Sequence, residues 1–288
     1  MRKNNENKLL KIEKSPERLL IIDKIKQYEK LGYFDKDVED DPPTLPLEPD
    51  KVDYLNKKLK NKIASKYSYF IARKFVNKMI KEKKLIIKEI IGIENFNTLK
   101  TGAVVTCNHF NAFDSFAMQL LFEATSQKKH KFYRTIREGN YTNFSGFFGL
   151  LMRHCDTLPL SSNRKTMQKF IESTNLILKR GDFVLMYPEQ SMWWNYKKPK
   201  PLKKGAFNFA FQSNVPVLPC FITMEDSDII GDDGFFVQEY TIFVEKPIYV
   251  DNTLNMAENI DLMKRKNFEV WKNIYEKFYN TKLEYTTE

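Results

Sequence analysis

The sequence predicts an α/β fold: a mixed, mostly parallel central sheet flanked by helices, preceded by an N-terminal helical and extended arm. Three observations carry this expectation. Beyond residue 100, short apolar runs alternate with amphipathic stretches, the pattern of strands feeding crossover helices. The first fifty or so residues lack that alternation and are interrupted by Pro42, Pro43, Pro46 and Pro49. The 288 residues, 42% hydrophobic and 14% aromatic, supply a core for one large domain with an appendage, or for two small domains.

The elements follow in order. Residues 1–52 read as the arm, with a short helix over 19–31. The acidic run DKDVEDDPPTLPLEPD cannot form regular helix or central strand, because proline fixes φ and lacks an amide hydrogen. It is expected to cross the domain surface as an extended segment; the alternative is a docking peptide for a partner. Residues 53–288 are expected to form the main domain. Its first part, 53–91, is basic and aromatic, with Tyr67, Phe70, Ile71 and Phe75 at helical spacing. Such a helix packs on the core, meets a lipid surface with its lysines and aromatics, or does both. The core spans about 92–250, with strands expected at 103–107, 131–136, 183–187, 217–223 and 240–244. A helix over 163–179 places Met167, Phe170, Ile171, Thr174 and Leu178 on one face, and Gly181 falls where a helix-terminating glycine belongs. An amphipathic helix over about 257–280 closes the chain.

Charge narrows the partners. A formal charge of +10 and a pI near 9.2 imply attraction to an anionic partner, whether phospholipid, nucleic acid or an acidic carrier. Cys107, Cys155 and Cys220 are odd in number and widely spaced, which fits free thiols and neither a disulfide framework nor a zinc site. The polar start, MRKNNENKLLKIEKSPERLL, has no apolar core of a secretory signal. No apolar run approaches the ~20 residues that span a bilayer. The nearest, Gly146 to Met152, is far too short, so contact with a membrane is expected to be peripheral. The aromatic run from Phe144 to Met152 suits the core, an acyl-chain groove or lipid contact.

Two segments carry chemistry. In AVVTCNHFNAFDSFAMQLLFEA, an apolar strand runs into Asn108 and His109, and a helix follows from about Asp114. Five residues on a regular helix amount to ~500° of rotation, which leaves the two side chains on different faces. If His109 lies in the turn and Asp114 opens the helix, the carboxylate reaches the imidazole. It then fixes the tautomer and leaves the other ring nitrogen to take a proton from a hydroxyl. The plainer alternative makes Asp114 a helix cap and His109 a turn residue. Cys107 beside them suits strand packing, and His130 and His154 have no comparable context.

In FVLMYPEQSMWWNYKKPKPLKKGAFNFAFQSNVPVLPCFI, a buried strand ends at Pro188-Glu189, where α/β sheets place binding residues. Glu189 is a candidate to position an acceptor, or a strand-end carboxylate paired with a nearby lysine. Lys197, Lys198, Lys200, Lys203 and Lys204 suit an anion, and a helix opening at Gly205 adds its N-terminus. Trp193, Trp194 and Tyr196 among the lysines also fit nucleic acid, but no recognisable nucleic-acid module surrounds them, so none is expected as a partner.

Together these blocks resemble the lysophospholipid acyltransferase (glycerolipid acyltransferase) family, which includes the bacterial 1-acyl-sn-glycerol-3-phosphate acyltransferases. Asn108-His109 through Asp114 resembles the family's Asn-His-x-x-x-x-Asp motif. Pro188-Glu189-Gln190-Ser191 resembles its Pro-Glu-Gly-Thr block, Lys204-Gly205-Ala206 a Lys-Gly-Ala helix start, and Val215-Pro216-Val217-Leu218-Pro219 a Val-Pro-Val-x-Pro block. The resemblance covers roughly residues 85–250. It implies transfer of a fatty acyl group from acyl-CoA or an acyl-carrier protein to a lysophosphatidic acid or related lysophospholipid, in phospholipid synthesis. His109 and Asp114 are then the catalytic pair. Asn108, Glu189, Gln190, Ser191, Lys204, Gly205, Arg137 and Arg164 are the substrate-binding candidates, with no metal and no bound cofactor expected. The implied setting is the cytoplasmic face of the cell membrane, on anionic phospholipid. Two departures bear on the acceptor. Met192 stands where phosphate-acceptor members carry an arginine, and Arg164 is displaced from the arginine that ends a second block. Lys197, Lys198, Lys204, Arg134, Arg137 and Arg164 remain candidates for the missing charge. The alternatives are a glycolipid or other hydroxylated acceptor, or a non-catalytic membrane- or nucleic-acid-binding protein on the same scaffold.

Overall fold

The computed structural model describes residues 13–40 and 42–287. The start of the arm, the polar run up to residue 12, lies outside the described residues. The elements in chain order are α1 (Pro16–Lys30), α2 (Leu59–Lys81), β1 (Ile86–Ile91), α3 (Ile93–Asn97), β2 (Ala103–Thr106), α4 (Phe113–Ala124), β3 (Phe132–Ile136), α5 (Glu138–Thr142), α6 (Gly146–His154), β4 (Thr157–Pro159), α7 (Arg164–Lys179), β5 (Phe183–Met186), α8 (Gly205–Ser213), β6 (Val217–Ile230), β7 (Phe236–Val244) and α9 (Met256–Tyr279).

Seven strands form one sheet in the order β1-β7-β6-β2-β5-β3-β4. The run from β6 to β4 is parallel throughout. β7 returns antiparallel to β6, and β1 pairs parallel to β7, which makes the sheet mixed and mostly parallel, as expected from the sequence. Period-two alternation explains the layering. Val105, Phe183, Leu185 and Ile222 point to one core with α2, α3 and α4. Val104, Val184, Met186 and Phe221 point to the other, with α7, α8 and α9. Both faces are covered, so the central strands β2 and β5 are buried along their whole length.

The helix termini follow local chemistry. The Asn163 side chain accepts the amides of Lys165 and Thr166 to open α7. Gly181 then turns the chain at φ +96 just beyond its end. Asn255 and Glu258 close a reciprocal capping box on α9.

Two expectations need correction. The basic helix does not run through residue 91. It ends at Lys81, Lys83 takes the left-handed conformation at φ +53, and Ile86–Ile91 becomes a strand. Ile86, Ile87, Ile90 and Ile91 are β-branched, and pairing with β7 outweighs the helical run of lysines before them. A short strand, Thr157–Pro159, was also not expected; three residues give too little periodicity to read. The aromatic run becomes α6, which packs against α2, with the Phe75 and Phe147 rings 5.0 Å apart.

The described part of the arm folds onto the sheet's ends. The Ser15 amide donates to the Asp233 carbonyl at the β6–β7 hairpin. Ile21, Ile25 and Val38 are buried in a small core around Trp193. Between Pro46 and Pro49, the Leu47 amide donates to Glu138 Oε1 at 2.7 Å, and its carbonyl accepts from Thr166 Oγ1 at 2.7 Å. The segment forms neither helix nor strand, and domain side chains also take up its Pro43 carbonyl, Leu45 amide and Pro49 carbonyl.

Candidate active site

The site forms at the carboxyl ends of the parallel strands, where the turns after β2, β5, β3 and β4 meet one edge of the sheet. After β2, the Asn108 side chain docks on β6: its Nδ2 donates to the Ile222 carbonyl at 3.0 Å, and its Oδ1 accepts the Ile222 amide at 2.8 Å. This two-point clamp fixes where the strand stops and the turn begins.

His109 stands in that turn and Asp114 in the first turn of α4. His109 Nδ1 lies 2.7 Å from Asp114 Oδ2. The same oxygen accepts the amides of Phe110 at 3.1 Å and Asn111 at 3.4 Å, while Oδ1 accepts the Tyr187 hydroxyl at 2.8 Å. Asp114 is fully buried, so these donors and the helix N-terminus replace its water shell. Tyr187 stacks on the imidazole, with centroids 4.1 Å apart. Burial, followed by the Asp114 charge, holds the Tyr187 hydroxyl far above its ordinary pKa, so it stays a donor. With Nδ1 on the carboxylate and the His109 side chain 22% exposed, Nε2 is the nitrogen left to meet a substrate.

Asn111 braces the turn. Its Oδ1 accepts the Phe113 amide, and its Nδ2 donates to Asn195 Oδ1 and the Tyr240 hydroxyl, each at 2.9 Å.

The block after β5 lies alongside. Glu189 Oε2 accepts the His109 amide at 3.0 Å, and Oε1 accepts the Lys200 amide at 2.8 Å. Glu189 is 2% exposed, so it orders the loop from within and does not present its carboxylate to an acceptor. Gln190 adopts φ +68, the left-handed conformation open to the glycine of the resembled motif, and its amide is taken by the Tyr187 carbonyl. The Ser191 hydroxyl is also turned inward, donating to the Phe34 carbonyl of the arm at 2.7 Å.

The lysines do not form an open anion site. Lys198 pairs with Glu29 at 2.6 Å and Lys203 with Asp35 at 2.8 Å, both arm carboxylates. Lys200 is buried, Lys204 pairs with Asp261 of α9 at 3.0 Å, and Lys197 lies over the Tyr279 ring. Arg137 follows β3 and pairs with Asp37 of the arm. Arg134 donates to Gln119. Arg164 follows β4 at the exposed start of α7, on the same sheet edge as His109 but three strands away. Gly205 opens α8 with empty space where a side chain would lie. The structure thus brings His109, Asp114, Asn108, Glu189, Gln190 and Ser191 together. Lys204 and Arg137 are paired with Asp261 and Asp37, and Arg164 stands exposed at the start of α7. Sequence reasoning missed Tyr187, Asn111 and Asn195. Tyr187 had a signal, a tyrosine at the exit of a buried strand one position before the Pro-Glu pair. Among the described residues, no group of three or more His, Cys, Asp or Glu side chains gathers in the way a metal requires.

The class follows from this geometry together with the sequence. Residues 88–223, which hold both motifs, match the model of the Acyltransferase family. That stretch is an acyltransferase domain, and the protein is an acyltransferase. Among solved structures, it is similar to the 1-acyl-sn-glycerophosphate (LPA) acyltransferase PlsC from Thermotoga maritima. The identity is 16% and the TM-score 0.42, over 74% of this chain and 96% of that one. No curated protein sequence matches the chain.

Proposed function

We propose that the protein transfers a fatty acyl group from the thioester of acyl-CoA or an acyl-carrier protein to the hydroxyl of a lysophospholipid, at a membrane surface. The observation that carries this is the 2.7 Å contact between His109 Nδ1 and a buried, fully hydrogen-bonded Asp114. His109 Nε2 removes the acceptor's hydroxyl proton, and the oxygen attacks the thioester carbonyl. The tetrahedral intermediate collapses with cleavage of the carbon–sulfur bond, and the thiolate takes the proton back from Nε2. Asp114 stabilises the transient imidazolium, and the Tyr187 hydroxyl fixes the carboxylate that does so.

One observation favours a neighbouring acceptor class. Cations near the site are neutralised by the arm, through Lys198–Glu29, Lys203–Asp35 and Arg137–Asp37. A phosphate headgroup would have to displace those carboxylates, whereas a neutral hydroxylated lipid would not. Labelled acyl transfer to a panel of lysophosphatidic acid, zwitterionic lysophospholipids and neutral glycolipids sorts the two. Transfer is expected to at least one lipid; transfer to none, from either donor, contradicts the proposal.

The membrane-facing element is α2 with α6. Leu59, Ile63, Tyr67 and Phe70 form an exposed stripe on α2, and Phe144 and Phe148 are exposed at the adjoining α6. α2 carries lysines and an arginine around the stripe and no acidic residue. No helix among the described residues is long and apolar enough to cross a membrane. Ile63→Glu with Phe70→Glu is expected to lower co-sedimentation with anionic vesicles at least ~10-fold, from the apolar area withdrawn from lipid. Unchanged sedimentation would remove this face from the proposal.

A further inference from the structure

Lys200 is the most deeply buried cation beside the site, and the mechanism above gives it no role. It stands between Pro199 and Pro201 at 1% exposure. Its Nζ donates to the Ser191 carbonyl at 2.6 Å and the Ser191 hydroxyl at 2.8 Å, lies 4.0 Å from Glu189 Oε2, and sits 4.8 Å from the Trp193 ring centroid. Its own amide holds the other Glu189 oxygen. Glu189 in turn holds the His109 amide. A continuous chain of contacts therefore links Lys200 to the catalytic turn through one carboxylate.

We infer that Lys200 is a positioning residue for acyl transfer: it keeps Glu189 charged and seated on the His109 amide, and so sets where the imidazole stands. The inference rests on the proposed His109 chemistry. The two prolines suit the task, since Pro199 fixes the entering backbone and Pro201 biases Lys200 toward an extended conformation. Tyr285 then pins the segment by donating to the Pro199 carbonyl at 2.6 Å. A lysine on a loop this constrained cannot swing to solvent. Its charge is matched by Glu189, which has no other cationic side chain within salt-bridge distance among the described residues. Nor can it serve an acceptor's phosphate, because nothing of it reaches the surface.

Burial raises the Glu189 carboxyl and lowers the Lys200 ammonium to about 8, with each partner's charge opposing the other's shift. Other titratable groups facing Glu189 are His109, Cys107, Tyr196 and Tyr285, and burial keeps the last three protonated. Asp37 and Arg137 act on Lys200 from farther away, with opposite signs. If the ammonium is removed, burial is opposed only by the Lys200 and His109 amides and the His109 side chain, and the Glu189 carboxyl rises further.

The test compares wild type, His109→Ala, Lys200→Met, Lys200→Arg and the pair Glu189→Gln/Lys200→Met in acyl transfer over a pH series. For Lys200→Met, kcat is expected to fall at least ~10-fold at neutral pH, with the donor KM within ~3-fold. The acid limb should move up by ~1 pH unit or more, so activity partly returns as pH rises. Lys200→Arg, which keeps the charge, should recover much of the loss. The double variant leaves no lone buried charge, so it keeps the test open if Lys200→Met does not fold. It is expected to keep the donor KM, lose kcat and show no displaced limb. Lys200→Met with wild-type kcat and an unmoved limb overturns the inference, as does a double variant as active as wild type. An equal loss at every pH would mark Lys200 as structural only and overturn it too. If wild type is inactive, or His109→Ala is as active as wild type, it is the underlying acyltransferase chemistry that fails.

Discussion

His109→Ala is expected to lower acyl transfer by about three orders of magnitude, within the 10²–10⁴ range that a positioned general base supplies. The fold should persist, because the ring is partly exposed and stacks on Tyr187 at the surface of the turn. The loss should appear in kcat, with donor binding little changed, since in the proposed mechanism Nε2 acts on the acceptor's proton. Unchanged thermal unfolding together with lost transfer is the expected pair of results. Asp114 keeps its donors from Phe110, Asn111 and Tyr187 in the variant, so no buried charge is stranded. Near-wild-type turnover would mean that another group deprotonates the acceptor.

Trp193→Ala is expected to have the largest effect on stability. The indole is fully buried, its Nε1 donates to the Lys36 carbonyl at 2.9 Å, and its ring packs between Phe34 and Tyr196. It is also the centre of the small core that holds Ile21, Ile25 and Val38 of the arm. Truncating a buried tryptophan costs about 3–5 kcal/mol. Here it also leaves the Lys36 carbonyl without that donor. Denaturant unfolding should show the loss, and limited proteolysis should cut the arm first. Because the Trp193 amide donates to the His109 carbonyl at 3.3 Å, loosening of the loop should also reduce turnover. A fully stable variant with a protected arm would show that the arm is held mainly by its ion pairs.

Much of the fold was legible because strands buried on both faces read as unbroken apolar runs, as in Ala103–Thr106 and Phe183–Met186. Asn163 and Gly181 marked the ends of α7 through purely local chemistry. The edge strands β1 and β4 were illegible for the opposite reason: Ile86–Ile91 is half-covered and follows a lysine-rich helix, and Thr157–Pro159 is too short. In the site, the spacing of His109 and Asp114 allowed the contact that the turn after β2 makes. The partners of the lysines were not legible. Glu29 lies 169 residues from Lys198, and Asp35 lies 168 from Lys203, so nothing local foretold that the arm would neutralise them. Lys200 was hidden in the same way: five lysines in a row of eight look alike until one is buried against Glu189.

The measurement that bears most directly on the central claim follows ester formed and thiol released together in one transfer reaction, with and without the acceptor lipid. One ester per thiol, with thiol release depending on the acceptor, is the predicted result, because the proton and the acyl group move between the same two substrates. Thiol released without ester, at a rate indifferent to the acceptor, would make the protein a thioester hydrolase and contradict acyl transfer to a lipid hydroxyl.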